Sequence, residues 1–406
     1  GDKSISHRAL ILGALAEGIS IVRGLSPGDD VARTAAAIQG LGATISGHQV
    51  TGGRPHLHQA DGTIEVGNSG TTIRLLAGLC AGFDWVTVLA GDASIARRPM
   101  ERVADPLRRM GADVTGSGES GYLPPLTVRG GGLHSIDYEM PVASAQVKSA
   151  ILLAGLSAEG ETVVREAVAT RAHTEEMLAD FGADIDVAEE GGGRTIRLRP
   201  STIHPFEVDV PGDPSQAAFW VVAACIVPGS DLLVDDVYLG AARTGFLDVL
   251  AAMGADVERV GDRSLRARHS PGLHGVGIQA HQIPGLIDEI PVLAVAAAVA
   301  EGATTFSGAG ELRVKESDRV ATISSELSGF GAKVEPSDDG LIVTGPGPGA
   351  GGALQAGHVR SHGDHRVAMA MAVAAMAAEG DSEIDGWEAV ATSYPGFEDD
   401  LRACIR

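Results

Sequence analysis

Residues 110–114 read MGADV, and residues 253–257 read MGADV again. Three near copies complete the series: LGATI at 41–45, FGADI at 181–185 and FGAKV at 330–334. Their glycines, Gly42, Gly111, Gly182, Gly254 and Gly331, follow one another at intervals of 69, 71, 72 and 77 residues. A short helical pattern precedes each copy and a β-prone run follows it. Each copy therefore reads as a helix stopped by glycine and continued as a strand. A figure that returns at so regular a spacing makes the chain a string of related repeats. The C-terminal FEDDLRACIR, 397–406, resembles a sixth copy of the same helix, ending before its Gly-Ala.

A second helix alternates with the first, and it is apolar on every side. Its six versions are HRALILGALAEG (7–18), TTIRLLAGLCAG (71–82), AQVKSAILLAGLSAEG (145–160), QAAFWVVAACIVPG (216–229), DEIPVLAVAAAVAEG (288–302) and HRVAMAMAVAAMAAEG (365–380). A helix without a polar face belongs in an interior. Each repeat thus reads as strand, buried helix, strand, amphipathic helix and paired strands. Six repeats make two similar α/β domains, each of three βαβαββ units with the helices inside. The seam is expected near VPGDPSQ, 210–216, where Pro and Gly interrupt the pattern. That gives domains at 1–211 and 212–406.

The composition is globular, with 44% hydrophobic and 21% charged residues. A net charge of -22 disfavours nucleic acid and anionic membranes as partners, since both reward a basic surface. It leaves room for a small anionic substrate, provided the cations are gathered locally. No apolar run approaches the roughly 20 residues that span a bilayer, and no export signal is expected. Cys80, Cys225 and Cys404 lie far apart with no CxxC, so neither a disulfide framework nor a structural zinc site is expected, and a reducing cytoplasm is. No metal and no cofactor are expected, and the chain is expected to act as a monomer.

The repeats agree in apolar positions and differ in polar ones, which separates scaffold from site. Polar motifs cluster just before or within the first turns of helices. GDKSISHRAL offers Lys3, Ser4 and Arg8 at the start of the first buried helix, where free N–H groups already favour an anion. VGNSGTTIRLL (66–76) places two glycines and hydroxyls before the second, as phosphate-cradling loops do. GDASIARRPM supplies Arg97 and Arg98, with Pro99 suited to the first position of the next helix. VASAQVKSA puts Ser144, Gln146 and Lys148 at the mouth of the third, facing a cleft, and ATRAHTEEM offers Arg171. GLIDEIPVLA begins with Asp288 and Glu289, one of them a candidate general base. RVKESDR (313–319) packs Lys315, Glu316 and Arg319 onto one helical face. SHGDHRVAMA brings His365 and Arg366, with Asp364 as a candidate cap. Taken singly, each motif has an ordinary reading as a cap, a dipole partner or a solvated charged face. Together they hold three of the four lysines among 31 basic residues.

With those motifs in hand, the sequence resembles the EPSP synthase (3-phosphoshikimate 1-carboxyvinyltransferase) family. DKSISHR, GNSGTTIR, ARRPM, SAQVKSA, LIDE, RVKESDR and GDHRVAMA occur in the family's order across essentially the whole chain. The resemblance implies an inside-out α/β prism of two domains with helix N-termini directed at a cleft. It implies transfer of the enolpyruvyl group of phosphoenolpyruvate (PEP) to the 5-hydroxyl of shikimate 3-phosphate, in aromatic amino-acid biosynthesis. Lys3, Ser4, Arg8, Ser144, Ala145, Gln146, Arg171, Asp288 and Lys315 would contact shikimate 3-phosphate, mainly from the N-terminal domain. Lys3, Gly70, Arg98, Gln146, Glu316, Arg319 and Arg366 would face PEP, with the catalytic carboxylates on the C-terminal domain. Asp288 would be the base on the hydroxyl, and Glu316, with Lys3 and His365, would handle the proton at PEP C3. Gly70 is the small residue associated with room for the family's inhibitor glyphosate. The pattern departs in places: Thr392 stands about where some members carry a lysine, Leu75 where many have proline, and Gly1 opens without the usual preceding strand.

The sister family that acts on UDP-N-acetylglucosamine shares fold and PEP chemistry. It typically has Lys-Asn where this chain has Lys3-Ser4, and a cysteine in the loop that here reads GDASIARR. A non-catalytic repeat scaffold is the remaining alternative, opposed by the intact Asp288, Glu316 and cation set.

Overall fold

In the computed structural model, which describes residues 1–119, 121–240, 242–346 and 354–404, the repeated glycine stops a helix in all five copies. Gly42, Gly111, Gly182, Gly254 and Gly331 have φ of 106°, 102°, 91°, 87° and 82°, a region open to glycine at no steric cost. Each glycine N–H bonds the carbonyl three residues back, and the next alanine N–H bonds the one five back, as in Gly111 to Arg108 and Ala112 to Leu107. This double closure satisfies carbonyls the helix leaves open. A further feature repeats with it. The carbonyl before the glycine accepts from a backbone amide of His58, His134, His204 or His274, and of Gln355 in the fifth copy. Sequence reading passes over these residues because their distance from the glycine varies.

The chain divides into two compact units, Gly1–Val210 and Pro211–Arg406. The first holds α1 (Lys3–Leu15), α2 (Asp29–Gly40), α3 (Gly70–Ala81), α4 (Glu101–Arg109), α5 (Ala145–Gly155) and α6 (His173–Asp180). The apolar helices α1, α3 and α5 are interior, and α3 packs on both others. At Gly78, which faces α5, a Cβ would lie 2.3 Å from the carbonyl oxygen of Ala150. Glycine there sets the spacing of the two helices.

Three four-stranded sheets enclose these helices, all with one order. In the second, Ile64–Glu65 runs parallel to Val86–Ala90, which pairs antiparallel with Leu123–Arg129, and that with Asp113–Ser117. The third repeats this with Asp137–Glu139, Thr162–Glu166, Gly193–Leu198 and Ile185–Glu190. In the first, the parallel strand comes from far along the chain: Glu207–Asp209 lies against Gly18–Arg23. Strand burial alternates, as for Leu123–Arg129, with one face inward and one in water. Surface pairs such as Arg165–Asp137, 2.8 Å apart, dress the outer face and contribute little each.

The second unit holds α7 (Pro214–Ile226), α8 (Gly245–Ala252), α9 (Ile290–Val299), α10 (Arg319–Gly329), α11 (His365–Met376) and α12 (Phe397–Cys404). Interior helices α7, α9 and α11 pack on one another. One sheet has the four-strand order seen above, from Gly277–Ile278 to Lys333–Ser337. Another has three strands among the described residues, Asp231–Val234, Ser264–Arg268 and Asp256–Val260. The helix expected at FEDDLRACIR is α12, and its last two residues, 405 and 406, lie outside the described part.

Three local expectations are corrected. Pro99 precedes α4 by two residues and is not its first position, because Met100 is the cap. Asp288 and Glu289 precede α9, which opens at Ile290. Lys315 and Glu316 do not share a helix with Arg319. Gly310–Val314 is a 3-10 turn, and α10 starts only at Arg319, capped by Asp318, which accepts from Ala321 N at 3.0 Å.

Candidate active site

In the first unit the polar motifs meet through side-chain links. Asp2 caps α1, accepting from Ile5 N at 2.8 Å, and this sets Lys3 in the first turn. Lys3 Nζ is 3.0 Å from Asp30 Oδ2, in the first turn of α2. Arg8 is buried one turn further on. It donates to Ser4 O (2.9 Å), Thr174 Oγ1 (2.7 Å) and Ser149 Oγ (2.6 Å), joining α1 to α5 and α6. Arg171 donates to Ser4 Oγ at 3.5 Å. Ser144 caps α5 by accepting from Val147 N, so Ala145 and Gln146 open that helix.

Ser69 caps α3 and places Gly70 at its first position. A Cβ on Gly70 would lie 2.9 Å from Nη1 of Arg74 and 2.9 Å from Nη1 of Arg98. Two guanidinium groups thus close over a residue with no side chain. Arg98 is held by Asn68 Oδ1 at 3.0 Å. Arg74 donates to Gln146 Oε1 at 2.7 Å, and Gln146 Nε2 donates to Thr71 Oγ1 at 2.9 Å. The sequence alone does not single out Arg74 or Asp30. Arg74 lies inside the quoted GNSGTTIR, one turn after Gly70, while Asp30 is indistinguishable there from a common dipole partner.

Behind Lys3, His7 Nδ1 is 2.7 Å from Thr34 Oγ1, which is 2.7 Å from Thr72 Oγ1, itself bonded to Ser69. Burial, and after it Lys3 and Arg8, push the His7 pKa well below the usual histidine range, so the ring is neutral and adds no charge to the cations in front of it.

Lys148 does not join them. Two residues past Gln146 is a turn of about 200° around a helix, and Lys148 faces inward. It is fully buried, with Nζ 2.8 Å from Glu166 Oε2 and 2.6 Å from Glu175 Oε1. The cleft expected for it is corrected to a buried ion cluster.

In the second unit, Arg319 is the hub. It is 1% exposed and meets three carboxylates. Nε and Nη2 grip Asp364 at 2.8 and 3.2 Å, Nη2 also reaches Glu316 at 2.6 Å, and Nη1 reaches Asp288 at 3.4 Å. Burial alone would lower its pKa, but Asp364 and Glu316 outweigh burial and raise it. For Asp364 burial pushes the carboxyl up, and Arg319 pulls it down to below the usual carboxylate range. Asp364 also caps α11, accepting from Arg366 N at 2.9 Å, so His365 and Arg366 open that helix. The candidate cap therefore has a second role as the anchor of Arg319.

Asp288 sits among cations. Lys315 Nζ is 3.6 Å away, Arg319 Nη1 3.4 Å and Arg366 Nη2 3.9 Å, and Arg366 Nη1 also bonds the Asp288 carbonyl at 3.1 Å. Its neighbour Glu289 is 1% exposed and accepts from Ser215 Oγ, which Arg243 holds at 3.1 Å. The two adjacent carboxylates thus part company: Glu289 braces α7, and Asp288 remains accessible.

Elsewhere, His358, Glu383 and Asp385 place ligand atoms within 4.8 Å of one another on exposed strands. They are the one group among the described residues with metal-ligand spacing, and Asp385 is already paired with His358 at 3.0 Å. No helix among the described residues is long and apolar enough to cross a membrane.

Helices inside sheets, with basic and acidic side chains gathered at or just before helix starts, make an arrangement suited to small anionic ligands. The profile of the EPSP synthase (3-phosphoshikimate 1-carboxyvinyltransferase) family matches residues 1–401, and the chain belongs to that family. It is 47% identical over 412 residues to a 3-phosphoshikimate 1-carboxyvinyltransferase from Herpetosiphon aurantiacus, covering 98% of this chain and 94% of that one. The same enzyme from Alkalilimnicola ehrlichii is 50% identical over 417 residues, with 98% and 90% covered. The solved structure of an EPSP synthase from Acinetobacter baumannii superposes with a TM-score of 0.84 at 41% identity, over 100% of this chain and 94% of that one. The enolpyruvyl transferase NikO from Streptomyces tendae, 19% identical with a TM-score of 0.78 over 100% of this chain and 93% of its own, shares the fold.

Proposed function

We propose that this chain transfers the enolpyruvyl group of PEP to the 5-hydroxyl of shikimate 3-phosphate, giving 5-enolpyruvylshikimate 3-phosphate and inorganic phosphate. The observation that carries the reading is Asp288 set among Lys315, Arg319 and Arg366, in a chain of this family. An ionised carboxylate accepts and does not donate. Beside it, Lys315 can hold an anion and also exchange a proton.

In the proposed reaction Asp288 takes the proton of the 5-hydroxyl as its oxygen attacks C2 of PEP. Carbon C3 gains a proton and becomes a methyl group, a transfer handled by Glu316 with Lys3 and His365. The tetrahedral adduct then loses phosphate as the methyl returns a proton, restoring the double bond. Fixed cations stabilise the adduct and the departing phosphate. We assign Lys3, Ser4, Arg8, Ser144, Ala145, Gln146, Arg171, Asp288 and Lys315 to shikimate 3-phosphate. Lys3, Gly70, Arg98, Gln146, Glu316, Arg319 and Arg366 are assigned to PEP. Arg74 joins them as the residue that aims Gln146. The three free cysteines support a reducing, cytoplasmic setting, where we take the chain to act as a monomer.

Phosphate release from PEP tests the reading. It should depend on shikimate 3-phosphate and not respond to UDP-N-acetylglucosamine. Release with the nucleotide sugar would transfer the chain to the sister reaction, and release with neither acceptor would rule out both.

Two substitutions refine the assignment. Lys315→Arg keeps the charge but removes the ability to give up a proton. Turnover is expected to fall about 100-fold or more with the melting midpoint nearly unchanged, and near-normal turnover would sink the role given to Lys315. Gly70→Ala should leave the fold intact, because the atoms it meets are the movable ends of Arg74 and Arg98. Their displacement is expected to raise KM for PEP roughly tenfold, more than KM for shikimate 3-phosphate.

A further inference from the structure

Lys148 stands in a sequence motif yet takes no part in the proposed chemistry. Its cluster joins one ammonium to two carboxylates at full burial, and Glu175 Oε2 is buried with no hydrogen-bond partner among the described residues. Such a cluster is a poor way to hold a core, since apolar residues of similar volume often serve as well or better. Its connections point elsewhere. Glu166 ends the strand Thr162–Glu166 and accepts from both the hydroxyl and the amide of Thr170, the residue before Arg171. Glu175, in the first turn of α6, follows Thr174, which holds Arg8 Nε and bonds Ser149 Oγ at 2.6 Å. Ser149 follows Lys148 and holds Arg8 Nη2. The Lys148 amide bonds the Ser144 carbonyl at 3.1 Å. Each element tied to the cluster carries a proposed shikimate 3-phosphate contact, or holds one, in the adjoining residues.

We infer that Lys148, Glu166 and Glu175 form a positioning cluster that holds Arg171 in register with Arg8, Ser4 and Ser144 for the phosphorylated acceptor substrate. This rests on the assignment of those residues to shikimate 3-phosphate. The cluster bolts α5 to the loop before α6 and to α6 itself, and Arg8 extends the brace to α1. Ion pairs fix direction as well as distance, which apolar packing does not, and a guanidinium displaced by about 1 Å loses much of its use.

Three variants test it by steady-state kinetics and melting. Thr170→Val removes the hydroxyl from the tie between Glu166 and the residue before Arg171, leaving only the long amide contact at 3.5 Å, without stranding a charge. It is expected to raise KM for shikimate 3-phosphate roughly tenfold, with KM for PEP and the melting midpoint near wild type. The triple variant Lys148→Met/Glu166→Gln/Glu175→Leu replaces the ions with neutral groups. It should melt near or above wild type and still show the raised KM for shikimate 3-phosphate. A folded triple variant with wild-type KM overturns the proposal. Should the triple variant not fold, wild-type KM in Thr170→Val overturns it alone. Arg171→Ala separates the two claims. If it leaves KM for shikimate 3-phosphate unchanged, the contact assignment fails and the positioning role with it. If it raises KM while the other two variants do not, only the positioning role fails.

Discussion

Asp288→Asn is expected to lower kcat by roughly 10²–10⁴, the usual contribution of a positioned general base, while shikimate 3-phosphate still binds. Asparagine keeps the shape and an acceptor oxygen toward Lys315, Arg319 and Arg366, so the surrounding cations need not move. What disappears is the capacity to take a proton from the 5-hydroxyl. The measurement is kcat alongside the dissociation constant for shikimate 3-phosphate. A drop of less than tenfold would place the base elsewhere, and Glu316 would be the next candidate. Glu289, adjacent in sequence, is no substitute, because it is buried against Ser215.

Arg319→Met is expected to cost about 3–5 kcal/mol of stability and most of the turnover, because it leaves Asp364 buried without its cation. Asp364 is 0% exposed, and Arg319 holds it through two nitrogens. The pH dependence has a definite sign. In the native protein the Asp364 carboxyl lies below its ordinary value, so its contribution is complete above the carboxylate range and is lost as pH falls through the lowered value. Without Arg319 the largest opposing charge is gone, and burial, with Glu316 alongside, favours the protonated acid. The stability gap between variant and native protein should therefore be widest near neutral pH and narrow on acidification. Arg319→Met/Asp364→Asn keeps the α11 cap, so it should regain much of the stability but not the turnover. Recovered turnover in that double variant would reduce Arg319 to a structural strut.

Much of this was legible in the sequence because repetition separates packing from chemistry. The glycine stops at Gly42 through Gly331 fixed the helix ends, and the all-apolar helices fixed what is interior. Helix-start motifs carried Lys3, Gly70 and Arg366 by local rules that need no tertiary knowledge, and Asp288 came with its motif although it lies two residues before α9. What stayed hidden depended on rotation or distance. Lys148 and Gln146 look alike in a string of letters and differ by about 200° around the helix. RVKESDR looks like a helical face, yet its charges converge because Asp288 and Asp364, 25 or more residues away in sequence, receive them. Asp30, Arg74 and Thr174 are common residue types at common places, and only the partner each one finds distinguishes them.

The strand Glu207–Asp209, laid against Gly18–Arg23, has a consequence in time. Ser20 and Phe206, hydrogen-bonded in that sheet, are 186 residues apart. The second and third sheets take all their strands from one continuous stretch each, whereas the first cannot be finished until the chain has passed residue 209. During synthesis, which runs at about 5–20 residues per second, the edge of Gly18–Arg23 stays bare for many seconds after its own helices have emerged. Among the three repeats of the first unit, the one that emerges first is completed last. In that interval the nascent chain carries an open strand edge, the kind of surface that chaperones shield and that pairs wrongly when nothing does.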